Sequence, residues 1–344
     1  MAKKEKLDYT ALIRRLRAEG PGKLYLLWGE ETYLREQFTS ELRRACLGDA
    51  PDDFDYKRFN GENIDLRLLR EAVDSMPFFA ERVYIELRGF DLNKCKAEDA
   101  ETLKEIFSTL PDFCTLAILL PTAGEPDGRL SLYKTLRKHG EIIEFTPQAH
   151  SQLVRWIQRR AEAGGKTISP ADAEYLMFNC GELMSHLGNE IAKLTHYCRG
   201  EAITRADIDA VTDRSLEATV FQMTDALAAR DYNAASASLA ELLEKQESPI
   251  MLLAMMGRQF RQLLIARVAL DCRLGRDYLA SVCGTQSEFV LSKLSSAARG
   301  FTQDQLRHAV RLCAETDYAM KRSSAEDETL LCNLLLKLAL GGAA

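Results

Sequence analysis

KLYLLWGEETYL, running from Lys23 to Leu34, decides how the first half of this 344-residue chain is read. Lys23–Trp28 is an unbroken apolar run of strand length, which fits a strand buried on both faces, and Gly29-Glu30-Glu31 ends it. Glu30–Cys46 then reads as a helix. Working outward, Phe54–Phe59, Val83–Leu87, Thr115–Leu120 and Glu141–Phe145 are further strand candidates, with helix-like stretches between them. Strands separated by about ten to fifteen residues of helix imply a parallel sheet covered on both faces. Residues 1–146 are therefore expected to form a doubly wound α/β domain.

The pattern changes after Pro147, and no further strand is expected. Gln152–Ala163 is amphipathic, and Ser169-Pro170 pairs a capping serine with proline in the first helical turn. Glu182–Arg199 places Leu183, Leu187, Ile191, Leu194 and Cys198 on one stripe, and Thr204-x-x-Asp207 opens a short helix as a capping box. These features mark residues 147–213 as a small helical lid domain. Residues 214–344 also read as all-helical. Ser248-Pro249 starts a long helix towards Leu274, Thr285-x-x-Glu288 and Thr302-x-x-Gln305 look like capping boxes, and Ala325–Leu340 is a strongly apolar last helix.

Bulk composition narrows the function. Hydrophobic residues make up 46% and charged residues 28%, as in an ordinary globular protein, and the length suggests two or three domains. A formal net charge of −6 argues against a polycation that wraps nucleic acid, so any contact with DNA should be local or shared with partners. The nine cysteines are scattered singly without C-x-x-C spacing, which supports neither a zinc site nor a redox pair. Their odd number, and a lysine-rich start (Met1–Lys6) with no apolar run of signal-peptide type, point to free thiols in the cytoplasm. No apolar run is long enough to span a membrane.

An α/β domain followed by a helical lid is similar to the layout of the AAA+ ATPases, so a phosphate loop belongs after the first strand. That loop needs G-x-x-x-x-G-K-[ST], whose backbone amides cradle phosphates while the lysine and hydroxyl hold phosphate and magnesium. Here Gly29-Glu30-Glu31-Thr32-Tyr33 stands instead, with one glycine, no lysine, and two carboxylates where a polyphosphate would sit. The acids suit a helix N-terminus but repel a nucleotide. Gly164-Gly165-Lys166-Thr167 spells a decoy: Arg160 occupies the position of the first required glycine, a helix precedes it, and a helix stop explains it better. Val83–Leu87 lacks the following Asp-Glu pair that would hold magnesium. His186, Glu190 and His196 share a helix and read as surface or capping pairs. Arg258, Arg261 and Arg267 read as a solvated face or subunit contact, and Trp28 and Trp156 as packing. No catalytic residue, metal ligand or cofactor is expected.

Taken in order, several segments resemble the delta subunit of the bacterial DNA polymerase III clamp loader. They are Tyr25–Leu34, Phe78-Phe79-Ala80-Glu81-Arg82, Glu190-Ile191-Ala192-Lys193-Leu194, Asp225-Ala226-Leu227, Pro249-x-x-Leu252-Leu253, Arg258-Gln259-Phe260-Arg261 and Asp317-Tyr318-Ala319-Met320-Lys321. The similarity runs from Lys23 to Leu340. It departs at Arg322-Ser323-Ser324, where the family often has glycine. The resemblance implies a degenerate AAA+-like member of a five-membered ring, joined through a collar of third domains (residues 214–344) to ATPase subunits and delta prime. It implies that this subunit binds and opens the sliding clamp, the beta subunit, and meets primed DNA only through the assembled loader. It would belong to a nucleotidyltransferase holoenzyme by membership alone. Two alternatives stay open: an AAA+ ATPase with a divergent site, and delta prime, which usually carries a zinc-binding cysteine cluster and a Ser-Arg-Cys finger, both missing here.

Within this frame Met76-Pro77-Phe78-Phe79 is the candidate clamp-binding segment. The helix Asp65–Ser75 must stop before Pro77, because proline disfavours helical geometry at Met76 and cannot extend the hydrogen-bond ladder. The strand resumes at Val83, so the segment lies on a connection that could present apolar side chains outward. From composition alone these residues would instead plug the domain's own core. The resemblance to the family's clamp-contacting segment favours the clamp.

Overall fold

The computed structural model describes residues 9–49, 52–121, 125–322 and 324–341, which leaves the lysine-rich start and Ser323 outside the described residues. The chain divides into two compact units. The first holds residues up to Gln148 together with Leu183–Ser185, and the second holds Ala149–Glu182 and residues from His186 onward.

The first unit is built on five parallel strands: β1 (Leu24–Trp28), β2 (Tyr56–Asn60), β3 (Val83–Arg88), β4 (Cys114–Leu119) and β5 (Glu141–Glu144), in the order β2-β3-β4-β1-β5. The central β1 and β4 are buried along their whole length, and β3 is buried up to Arg88. That is why their sequences are mostly apolar runs rather than alternations, with Glu86 and Thr115 buried among them. The edge strands β2 and β5 are only half-buried and carry Lys57, Arg58 and glutamates. Register pairs Leu26 with Ile118 on one side and Ile142 on the other.

Among the described residues, six α-helices belong to this unit: α1 (Tyr9–Glu19), α2 (Thr32–Leu47), α3 (Asp52–Asp55), α4 (Leu66–Asp74), α5 (Ala97–Ser108) and α6 (Ser131–His139). Because strand side chains alternate between faces, Leu24, Leu26 and Trp28 join a core with Leu69 and Val73 of α4, Leu103 and Phe107 of α5, and Leu132 and Leu136 of α6. Tyr25 points the other way and meets Phe38 of α2 edge-on at 5.9 Å. Helices cover both faces, so the doubly wound expectation holds. One boundary moves. Phe54 and Asp55 were expected to begin the second strand, but they close the short helix α3, and the strand starts at Tyr56.

The second unit is helical, from α7 (His150–Ala163), α8 (Pro170–Cys180), α9 (Met184–Tyr197) and α10 (Arg205–Val211) through α11 (Leu216–Ala228), α12 (Tyr232–Glu244), α13 (Pro249–Asp271), α14 (Arg276–Cys283), α15 (Glu288–Ala298), α16 (Gln303–Arg322) and α17 (Asp327–Gly341). The first two residues of α9 group with the α/β unit. Ser169 caps α8 with Pro170 in the first turn, and Thr204 and Asp207 form the expected box, as do Thr302 and Gln305. The Thr285 expectation is corrected: Ser287 is the N-cap of α15, its hydroxyl accepting from Val290 N at 3.3 Å. Leu183 is also corrected, because it precedes α9 and is exposed while Met184 takes the buried position of the stripe. Two short strands that the sequence did not announce, Thr167–Ile168 and Ala202–Ile203, pair in parallel. The Gly-Gly-Lys-Thr decoy is a helix stop. Gly164 caps α7, Gly165 adopts φ +74°, and Lys166 Nζ donates to Gly200 O at 2.6 Å.

Candidate functional site

In an open α/β sheet the natural ligand site lies beyond the carboxyl ends of the strands, where neighbouring connections run to opposite sides. Here that point is the end of β1, between β4 and β5, and Gly29-Glu30-Glu31 occupies it. Gly29 has φ +124°, and a Cβ at this position would collide with the Phe145 backbone, so the turn packs directly on the end of β5. Glu31 N donates to Phe145 O at 3.0 Å. Glu31 is 1% exposed; Oε2 receives a long contact from Met184 N at 3.5 Å, and Oε1 has no partner among the described residues. Burial pushes this carboxyl above its ordinary range, and the backbone amides of Met184 and Tyr33 oppose the shift. The loop is closed by its own backbone and by an acid, and no basic side chain follows Gly29 before Arg35.

Met76-Pro77-Phe78-Phe79 lies on the connection between α4 and β3. Asp65 caps α4 through the amides of Arg67 and Leu68, and Ser75 ends the helix in extended geometry, two residues before the Pro77 that could not continue it. Met76 is 72% exposed, Phe78 73% and Phe79 55%, so these side chains do not plug the core. Pro77 is half-buried. Phe78 and Phe79 meet edge-to-face at 4.7 Å. A third ring joins them: Phe54 of α3 stacks on Phe78 at 5.7 Å and meets Phe79 edge-on at 5.2 Å, and it is itself half-exposed.

The segment is anchored from below. The Asp55 carboxylate is 1% exposed and accepts from three successive amides: Phe78 N at 2.6 Å, Phe79 N at 2.7 Å and Ala80 N at 2.7 Å. Burial alone would raise its pKa, but the three amides, with Lys57 nearby, outweigh burial and hold it below the usual carboxylate range. At the far end Arg82 ties the chain to β4 through Thr115 Oγ1 at 3.0 Å and Cys114 O at 3.3 Å. Sequence reading missed Phe54 and Asp55 because a strand pattern absorbed both.

The remaining sequence candidates separate from this site. Glu190 is buried and salt-bridged to Lys193 at 2.7 Å, with His186 3.8 Å away. Arg258 pairs with Glu217 at 3.4 Å, and Arg267 with Asp271 at 2.6 Å. Among the described residues no three His, Cys, Asp or Glu side chains gather as a metal site, and no helix is long and apolar enough to cross a membrane.

Comparison with known proteins agrees with this architecture. A family model described as DNA polymerase III, delta subunit, matches residues 25–146, and one described as DNA polymerase III delta subunit, C-terminal domain, matches residues 217–338. The DNA polymerase III subunit delta of Bacillus subtilis (strain 168) is 26% identical over 321 residues, covering 92% of either chain. A solved structure of the Bacillus subtilis DNA clamp loader delta protein superposes with a TM-score of 0.50 at 25% identity, over 97% of this chain and 100% of that one.

Proposed function

The chain belongs to the DNA polymerase III delta-subunit family, and on that premise we propose that it is the loader subunit that grips and opens the sliding clamp without catalysing a reaction itself. One observation carries the reading: three phenylalanine rings and Met76, each more than half exposed, cluster at a loop whose backbone is anchored by a buried carboxylate. Large exposed aromatic side chains on a fixed scaffold match the pattern of interface anchors, where a few residues entering a desolvated pocket supply most of the affinity. In this reading Met76, Pro77, Phe78 and Phe79 bind the clamp. Residues 1–146 carry the contact, 147–213 serve as a lid, and 214–344 join the collar with the ATPase subunits and delta prime. Primed DNA is met through the assembled ring.

The runner-up, an ATPase with a divergent site, asks the end of β1 to accept a polyphosphate. Against it, the turn packs on Phe145 and buries a carboxylate there. Co-purification with the sliding clamp of the same cell tests the proposal: a complex that survives gel filtration is expected, and failure to co-elute at micromolar concentrations counts against it.

A further inference from the structure

The loop presents its rings at a definite angle, and Asp55 is the residue in contact with its backbone there. Three consecutive N–H groups converge on the two oxygens of one buried carboxylate. A chain segment with exposed apolar side chains has no core of its own to fix it, so its conformation depends on such polar anchors. Placing a charge out of water is unfavourable unless it is well hydrogen-bonded, and these charge-assisted bonds are short. That expense is hard to explain as support for rings that themselves stay wet. Phe54 precedes Asp55 directly, so the same short helix delivers both the anchor and a third ring.

We infer that Asp55 is a positioning residue of the clamp-docking element and that Phe54 is part of its contact surface. The inference rests on the clamp reading given above. Asp55 holds Phe78–Ala80 in the conformation that binds, so the ordering of this backbone precedes the encounter with the clamp. Phe54 extends the apolar surface from two rings to three and sets the tilt of Phe78 by stacking on it.

The two roles separate kinetically. When a binding-competent conformation is only fractionally populated, apparent affinity falls by that fraction, and the loss appears in the association rate. Loss of a contact appears in the dissociation rate instead. The experiment is surface plasmon resonance of the full chain on immobilised clamp. Asp55→Asn keeps size and shape but turns a donor amide towards donors; it is expected to lower the association rate about tenfold or more, with dissociation within about twofold of the parent. Phe54→Ala is expected to speed dissociation about tenfold with association unchanged. Should Asp55→Asn melt early, Asp55→Ser, which keeps one acceptor oxygen on a shorter side chain, is expected to slow association at least as much. The inference is overturned if both Asp55 variants and Phe54→Ala bind like the parent while Phe78→Ala/Phe79→Ala loses binding. If that double variant also binds like the parent, the docking site itself is wrong, and the inference falls with it.

Discussion

Truncating both rings of the loop, Phe78→Ala/Phe79→Ala, is expected to separate a docking role from a core role by opposite signatures. Phe78 is 73% exposed and Phe79 55%, so most of their surface is still available to a partner. Burying a whole phenylalanine side chain is worth about 1.5–3 kcal/mol, so the unburied fractions of these two rings can contribute roughly 2–4 kcal/mol to a complex. At about 1.4 kcal/mol per factor of ten, the double variant should bind the clamp at least about 30-fold more weakly. Their effect on folding is smaller, because what burial they have comes partly from one another and from Phe54. The melting temperature should fall by no more than a few degrees, about 2–4 °C per kcal/mol at this size. Two fully buried phenylalanines would behave in the reverse manner, each costing about 3–5 kcal/mol of stability on truncation. The assay is clamp titration by fluorescence anisotropy alongside thermal melting followed by circular dichroism. Unchanged affinity, or a melting temperature more than about 10 °C lower, would refute the reasoning.

The isolated chain should show no saturable ATP binding and no phosphate release, because the turn after β1 carries acids and no lysine; micromolar binding of a fluorescent nucleotide displaced by ATP would contradict this. Leu336 and Leu340 lie one turn apart on α17, 62% and 74% exposed, so Leu336→Glu/Leu340→Glu should leave the melting curve in place yet weaken assembly with the ATPase subunits at least about tenfold; gel filtration of the mixed subunits at normal stoichiometry would argue otherwise. His150 is held above its ordinary pKa by Glu182 at 3.2 Å, against the opposing effect of burial, with Glu174 3.6 Å away. Its folded pKa therefore exceeds the unfolded value of about 6.5, so its contribution to stability is complete below that pH and is lost as pH rises through the folded value. The stability gap between the parent and His150→Gln should accordingly narrow from pH 6 to pH 8 in urea melts, and a gap that widens would invert the assignment.

How much of this was legible follows from which residues speak through local pattern. The interior strands announced themselves because burial on both faces leaves only apolar residues: LYLLW and CTLAIL have few other solutions. Helix starts were readable wherever the cap is a local hydrogen bond, as at Asp65, Ser169 and Thr204. Thr285 misled because Ser287, two residues on, offers the same hydroxyl, and only the packing of α15 selects between them. Pro77 placed the exposed loop correctly, since proline acts on its own neighbours. Phe54 and Asp55 were hidden for the opposite reason. Asp55 reaches its partners across 23 to 25 positions of sequence, and no window of local periodicity contains such a contact. Composition alone pointed Phe78 and Phe79 inward, since apolar residues beside a strand usually pack on the core, yet both are more than half exposed.

Two buried carboxylates in the same unit show how one chemical group serves opposite ends. Glu31 and Asp55 are each 1% exposed. Asp55 receives three short amide bonds and is held in its charged form, while Glu31, with a long contact from Met184 N and an oxygen that has no partner among the described residues, is driven towards its neutral form by burial. The difference is the number of donors that the backbone delivers, since burial penalises both alike. At the end of β1 the amides that a phosphate loop would aim at a nucleotide are not gathered: Glu31 N is committed to Phe145 O, and Gly29 is pressed against the same residue. At the Phe78 loop three amides are gathered, and the anion they meet is the protein's own. In this unit, three backbone donors thus converge on an anion not at the sheet's switch point but on the connection before β3. On the clamp reading proposed above, these donors hold the docking loop in shape, a service that a clamp-gripping subunit needs and an ATPase does not.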